Sequence, residues 1–231
     1  MRTTAATAQN TSESSRLVRP ILPIFGLAAP LAYICAVTLG GVLSPGYSQV
    51  SQPVSDLIAQ GAPHKALFDR LFLVYNLSTL SFGALLIGSA RRWIPDTGRP
   101  WGTIGAATLV LEGLCGLLTQ LFPEARGGMQ SEITFTGRLH IAFAGLSSLS
   151  TMLAIAFFGI WCRRIPRLRK RAGWCFAAVG FIFLTGAVTA VAMASDSSYT
   201  GLFERLTIGG FLVWLGAFAL AMRSAMGPEP R

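Results

Sequence analysis

Residues 21–43 read ILPIFGLAAPLAYICAVTLGGVL, an unbroken apolar run without one charged side chain. At 1.5 Å of rise per residue, roughly 20 helical residues cross about 30 Å of hydrocarbon, so this run predicts a transmembrane helix. A signal peptide needs an apolar region of only about 7–15 residues followed by a small-residue cleavage site, so the run is expected to remain in the chain. Five more runs of similar length follow, at about Leu67–Ala90, Gly102–Phe122, Leu139–Cys162, Gly173–Ala194 and Phe203–Met222. The expectation is an all-α polytopic membrane protein, a bundle of six transmembrane helices over residues 20–222. A bundle satisfies every backbone N–H and C=O without water. Residues 1–19, rich in Ser, Thr and Ala with no apolar periodicity, are expected to form a disordered tail. Residues 223–231 are expected to form a short cytoplasmic C-terminal tail.

Composition agrees. The chain is 52% hydrophobic and 13% charged, where a soluble domain carries about 25% charge, and its mean hydropathy is +0.54. A net charge of +9 would suit nucleic acid in a soluble protein, but the basic residues lie in loops between the spans. Anionic lipid head groups are the better partner, at roughly 1 kcal/mol per basic residue near the surface, and no nucleic-acid partner is expected.

The distribution of Lys and Arg orients the bundle. Arg2, Arg16, Arg19, Arg91, Arg92, Arg99, Arg163, Arg164, Arg167, Arg169, Lys170, Arg171, Arg223 and Arg231 collect on one side, and only Lys65, Arg70, Arg126, Arg138 and Arg205 on the other. That asymmetry predicts both termini in the cytoplasm of a cell whose cytoplasmic membrane holds the protein. The run RRIPRLRKR then reads as a topology determinant. Trp93, Trp101, Trp161 and Trp174 are expected at the cytoplasmic interface, where an amphipathic indole is favoured. Cys35, Cys115, Cys162 and Cys175 fall within or beside apolar runs without a CxxC pairing, and read as small packing residues.

Acidic residues show the opposite bias. Asp56, Asp69, Glu124, Glu132, Asp196 and Glu204 lie on or near the outer face; Glu13, Asp96 and Glu229 are cytoplasmic, and Glu112 is within the membrane. The first outer loop, SPGYSQVSQPVSDLIAQGAPHK, is patterned. Pro45–Gly46 fits the centre of a type II turn. Ser51 can cap a short helix with Val54, Leu57 and Ile58 on one face, stopped by an αL Gly61 and by Pro63. Such a helix would lie on the bundle mouth and direct Ser55 and Asp56 to water or into the cleft between helix ends.

Four pieces carry a family resemblance: PGYSQVSQPVSDLIAQGAP before a span, LFP ending the third span, Gly137 with His140 opening the fourth, and GLFERL opening the sixth. Together they resemble the domain-of-unknown-function family 998 over roughly residues 20–222. The resemblance implies a six-span prokaryotic membrane protein without an assigned reaction. It also implies an acidic residue shortly after the LFP-like motif, which here is Glu124.

The residues themselves point to an outer polar cleft. Ser55, Asp56, Asp69, Arg70, Glu124, Arg138, His140, Glu204 and Arg205 belong to the outer loops or outer helix ends. Of these, Ser55, Asp56, Arg138, His140, Glu204 and Arg205 are the candidate ligand-binding set. Arg205, placed in the first helical turn, meets an unfavourable dipole of about 0.3–1 kcal/mol and calls for a carboxylate such as Asp56 or Glu124, whereas Glu204 suits that end. The bland alternative is that the same residues are interfacial ion pairs locking helix ends together. His140 heads a small or polar stripe with Ala144, Ser147 and Thr151; it can be a packed, hydrogen-bonded histidine or, with Asp56 or Glu124, an acid–base pair. With only His64 and His140 present, no metal site is expected, and no cofactor motif occurs. Glu112, costing at least about 2.5–3.5 kcal/mol as an ion in mid-membrane, shares a stripe with Gly105, Gly116 and Thr119. Burial should keep it protonated or bonded to a partner such as Asn76 or Ser147.

Three functions therefore remain open: a binder of a lipid, small amphiphile or partner at the outer cleft; a membrane-embedded enzyme on a lipid-linked substrate using His140 with Asp56 or Glu124; and a proton-coupled permease using Glu112. There is no GxSxG, HExxH, P-loop or strand-borne GxGxxG to mark a common enzyme class.

Overall fold

The computed structural model describes residues 2–93, 99–125 and 134–225. Asp96, Arg126, Glu132, Glu229 and Arg231, used in the charge count, lie outside them. Six helices carry the apolar runs: α1 (Arg2–Leu43), α2 (Lys65–Trp93), α3 (Arg99–Leu121), α4 (Phe135–Arg164), α5 (Ala172–Ala194) and α6 (Thr200–Ala225). Each contains a stretch of at least 23 residues long and apolar enough to cross a membrane. Two short 3-10 helices, Val54–Leu57 and Pro166–Arg171, interrupt the connections, and no strand occurs among the described residues.

Each helix packs on its neighbours in sequence, and α6 returns onto α1, so the six form a closed up-and-down ring. With an even number of spans, both termini share one end with the Pro166–Arg171 connection. The first loop, residues 44–64, is at the other end, called here the loop end. The ring is filled by aromatic side chains: Phe158 of α4, Phe82 of α2, and Trp214 and Phe218 of α6 are all buried. Phe158 and Phe218 have ring centroids 4.6 Å apart, and Trp214 stacks on Phe218 at 4.8 Å. The surface is apolar as well. Val191 is 69% exposed, Val213 67% and Leu31 65%, which suits lipid and would be costly in water.

Close helix approach comes from small residues, because lipid supplies no hydrophobic drive and packing must hold the spans together. A Cβ on Gly113 would stand 2.8 Å from the Asn76 carbonyl and 2.9 Å from Leu80 Cβ, so α3 touches the backbone of α2. At Gly26 the corresponding atom would overlap Ala219, which brings α1 equally close to α6.

Three expectations change. The helix of α1 continues back to Arg2, through the stretch read as a tail; extending an existing helix orders one residue per hydrogen bond, without a new nucleus. Trp161 is only 6% exposed and packs on Phe158 and Phe218 instead of reaching an interface. A Gly102 Cβ would lie 3.1 Å from its indole nitrogen, so a bare backbone opens the slot it fills. Finally, α6 begins at Thr200, three residues earlier than its apolar run, so Arg205 lies in the second turn. There the dipole penalty has faded.

Candidate binding site at the loop end

The first loop is shaped by its own sequence before it meets the bundle. Tyr47 N–H donates to the Ser44 carbonyl at 3.1 Å, with Gly46 at φ +75°, which is the type II turn expected of Pro45–Gly46. Next, Ser48 N–H donates to Gln52 Oε1 at 2.8 Å, Ser51 N–H to Ser48 Oγ at 3.3 Å, and Gln52 N–H to the Ser48 carbonyl at 2.9 Å. Ser48 thus closes a turn over residues 48–52, and Ser51 does not cap the helix that follows. The following helix is a single 3-10 turn, Val54–Leu57, with Pro53 as its N-cap. Its apolar residues Val54, Leu57 and Ile58 are buried as their spacing predicts, and Gly61 adopts φ +73°.

Because Pro53 has no side-chain oxygen, the first free N–H of this turn needs a distant acceptor. Glu204 Oε2 of α6 accepts from Val54 N–H at 2.7 Å. Arg205, the next residue, clasps the loop from the other side. Its Nη1 donates to the Gln52 carbonyl at 2.9 Å and to Gly201 O at 2.8 Å, its Nη2 donates to Tyr47 Oη, and its guanidinium carbon lies 5.6 Å from the Tyr47 ring centroid. The expected carboxylate partner is thus replaced by two carbonyls and a phenol. A half-buried guanidinium gains directional acceptors there without desolvating a second charge. Gly201 makes the contact feasible, since a Cβ there would overlap the Gln52 carbonyl.

Tyr47 passes the hydrogen bond on, donating to the Pro53 carbonyl at 2.9 Å. Burial pushes its phenol above the usual tyrosine range, against the opposing pull of Arg205. A group with a raised folded-state value adds stability that is complete below its unfolded value, about 10 for tyrosine, and is lost as pH rises beyond it. Thermal melts above about pH 10 should therefore fall more steeply for the wild type than for Tyr47→Phe; parallel curves would show that Tyr47 contributes no such linkage.

Under the loop lies a pocket of about 40 Å³, lined by Ser44, Pro45, Gly46, Tyr47, Gln52, Asp56, Leu57, Ala62 and Pro63. Asp56 is 9% exposed, and its Oδ2 accepts from Gln52 Nε2 at 3.1 Å. Ser44 Oγ, on the same lining, is buried with no hydrogen-bond partner among the described residues. Asp56, Tyr47, Gln52, Glu204 and Arg205 therefore form one network, while Ser55, half-buried in the 3-10 turn, contributes its carbonyl to Ile58 N–H at 3.0 Å.

The other candidates lie on the α3–α4 side. Glu124 is buried, 7% exposed; its carbonyl accepts from Gln60 N–H at 2.9 Å, and its Oε1 has no partner among the described residues. It is within electrostatic reach of Glu204, as is Asp56. His140, also buried, is in the second turn of α4 and holds the carbonyls of Thr119 and Phe122 with Nδ1 at 3.1 and 3.2 Å. Two carbonyl partners require Nδ1 to carry the proton in the neutral ring, which leaves Nε2 as the basic nitrogen. Among the described residues, no hydrogen bond joins His140 to Asp56 or Glu124. Arg138 is exposed and stands outside the network, and Asp69 pairs with Lys65 at 2.8 Å. No group of three or more potential metal ligands occurs among the described residues.

Glu112 is 2% exposed, and its partner is neither Asn76 nor Ser147: Tyr75 Oη donates to its Oε1 at 2.8 Å. Sequence reasoning missed Tyr47, Gln52 and Tyr75. Tyr75 had a findable signal, a lone phenol within an apolar run at the depth of a lone acid; the other two join the clamp through contacts with Arg205 across more than 150 residues.

Fold and site together define a six-span helical membrane protein whose first extramembrane loop is clamped to its last helix over a small polar pocket. Residues 27–221 match the family model described as "Protein of unknown function (DUF998)", and the chain belongs to that family. Comparison with curated proteins and with solved structures finds no match.

Proposed function

We propose that the protein binds a small amphiphile or lipid by its polar head at the loop-end pocket, on the outer face of the membrane. The observation that supports this most directly is the polar pocket of about 40 Å³ between the end of α1, the clamped loop and the approach to α2. Its volume admits two or three water-sized groups and not a whole lipid, so the acyl chain remains in the bilayer beside the bundle. Its lining combines the Asp56 carboxylate, the Gln52 amide and the Ser44 and Tyr47 hydroxyls, with a second carboxylate, Glu204, close by. Such a lining suits a head group with hydroxyls or a primary amine, which can donate to several acceptors, and disfavours a bare phosphate. The Arg205 clamp keeps the loop in place before the ligand arrives, and a preordered site spends less binding energy on ordering.

Native mass spectrometry of the gently purified protein tests this reading. A retained lipid adduct is expected in the wild type, reduced at least about tenfold in occupancy by Asp56→Asn, since a charge-assisted hydrogen bond of about 1.5–3 kcal/mol is lost. A protein that carries no adduct, or an Asp56→Asn variant that retains it fully, would refute binding at this pocket.

A further inference from the structure

A polar seam runs between α2 and α3 from the loop end to the buried acid. At its mouth Lys65 Nζ pairs with Asp69 at 2.8 Å. One step inward, Gln120 Nε2 of α3 donates to the Asp69 backbone carbonyl at 2.7 Å. Since that carbonyl can only accept, Gln120 is oriented with Oε1 inward, where it accepts from Asn76 Nδ2 at 3.3 Å. Asn76 is thereby oriented too, and its Oδ1 remains an acceptor with no donor among the described residues. Deeper in the same interface Glu112 repeats this pattern: Oε1 takes the Tyr75 hydroxyl, and Oε2 is buried with no partner among the described residues. Asn76 is 3% exposed and Glu112 2%. One interface in the membrane thus contains two acceptors with no donor for either among the described residues.

Buried acceptors without donors are costly, and an ionised carboxylate with one hydrogen bond is costlier still. A proton on Oε2 removes the charge and turns an orphaned acceptor into a donor. The seam is also narrow. A Cβ on Gly116, one turn from Glu112, would overlap Asn76 Oδ1, so the interface leaves no room for a metabolite. We propose that Glu112 is a proton-binding site inside the membrane and that the Asp69–Gln120–Asn76 seam connects it to the loop end. In loading, a hydronium entering the seam transfers its proton to Glu112 Oε2, forming the O–H bond and leaving water; release reverses this with no other reactant. The titratable groups around Glu112 are Tyr75 on α2, which touches it, Cys115 on its own helix and Tyr33 on α1, whose ring packs on Tyr75 at 5.1 Å. Tyr33 is also within electrostatic reach of Glu204, Arg205 and Tyr47. On α4 the one titratable side chain in the loop-end half beyond Arg138 is His140, which is engaged with the α3 terminus.

Infrared spectroscopy of the full chain reconstituted in phosphatidylcholine bilayers provides the test. At neutral pH the wild type should show a protonated-carboxyl C=O band that moves in D₂O, disappears in Glu112→Gln and changes frequency in Tyr75→Phe, where the carbonyl oxygen loses its donor. Should Glu112→Gln not fold, the Tyr75→Phe shift alone assigns the band. Blocking the seam with Asn76→Leu or Gln120→Met should slow deuterium uptake by that band at least tenfold. A band that neither Glu112→Gln nor Tyr75→Phe alters overturns the proton site, and uptake unchanged in both seam variants overturns the route.

Discussion

Arg205→Ala is expected to release the first loop while leaving the six helices assembled. The guanidinium makes two connections from α6 to the loop, to the Gln52 carbonyl and to Tyr47, and charge-assisted hydrogen bonds are worth about 1.5–3 kcal/mol each. Truncation also leaves the Gln52 carbonyl without that donor, and the loss of about 3–6 kcal/mol falls on the loop and not on the core. The helical signal in detergent should be retained, while limited proteolysis between residues 44 and 64 accelerates by at least about tenfold. Arg205→Lys should recover only part of the protection, because one ammonium cannot reproduce a fork that binds a carbonyl and a phenol together. A loop as protected in Arg205→Ala as in the wild type would show that Glu204 and the apolar face of the 3-10 turn hold it unaided.

Gly113→Ala should have the larger effect on the bundle itself. The new Cβ meets the Asn76 carbonyl at 2.8 Å and Leu80 backbone N at 2.9 Å. Backbone atoms cannot swing aside, so α2 and α3 must separate, at a cost of about 1–3 kcal/mol or more. Separation would also stretch the Tyr75–Glu112 bond and the Asn76–Gln120–Asp69 chain, which cross the same interface. The measurement is the melting temperature in detergent, compared with Gly180→Ala on α5, where a Cβ meets nothing within 4 Å. A clear fall for Gly113→Ala and none for Gly180→Ala is expected; equal melting temperatures would mean that the close approach of α2 and α3 adds nothing to stability.

Much of this architecture was legible because hydrocarbon imposes a length and a polarity on anything that crosses it. The run at residues 21–43 returns as the first membrane span with the same bounds, and Gly46 and Gly61 take the backbone conformations their neighbours implied. Local chemistry was less reliable where two residues could play one role. The short helix of the first loop begins at Val54 behind Pro53 and not behind Ser51, and α4 starts at Phe135 with Thr134 as its cap, before the apolar run begins, because capping and not hydropathy decides where a helix starts. Trp161 illustrates the same limit: an indole near a span end can satisfy an interface or fill a core, and the slot beside Gly102 decided for the core.

The candidate site was legible as a set of residues and illegible as a set of pairs. Asp56, Glu204 and Arg205 were all marked by charge at the outer helix ends, yet Arg205 chose two carbonyls and a phenol over a carboxylate, and Glu204 became the cap of a turn 150 residues away in the chain. Glu112 is marked by its depth, but nothing in the spacing pairs it with Tyr75. The sequence by itself determined that six helices cross a membrane and which end collects the acids, since both follow from transfer of side chains between water and hydrocarbon, a property each residue carries alone. The tertiary structure decided the clamp of α6 on the first loop, the small pocket beneath it and the seam leading to Glu112. Those depend on hydrogen-bond directions and on the sub-ångström fit of glycine backbones between distant helices, which exist only once the ring has closed.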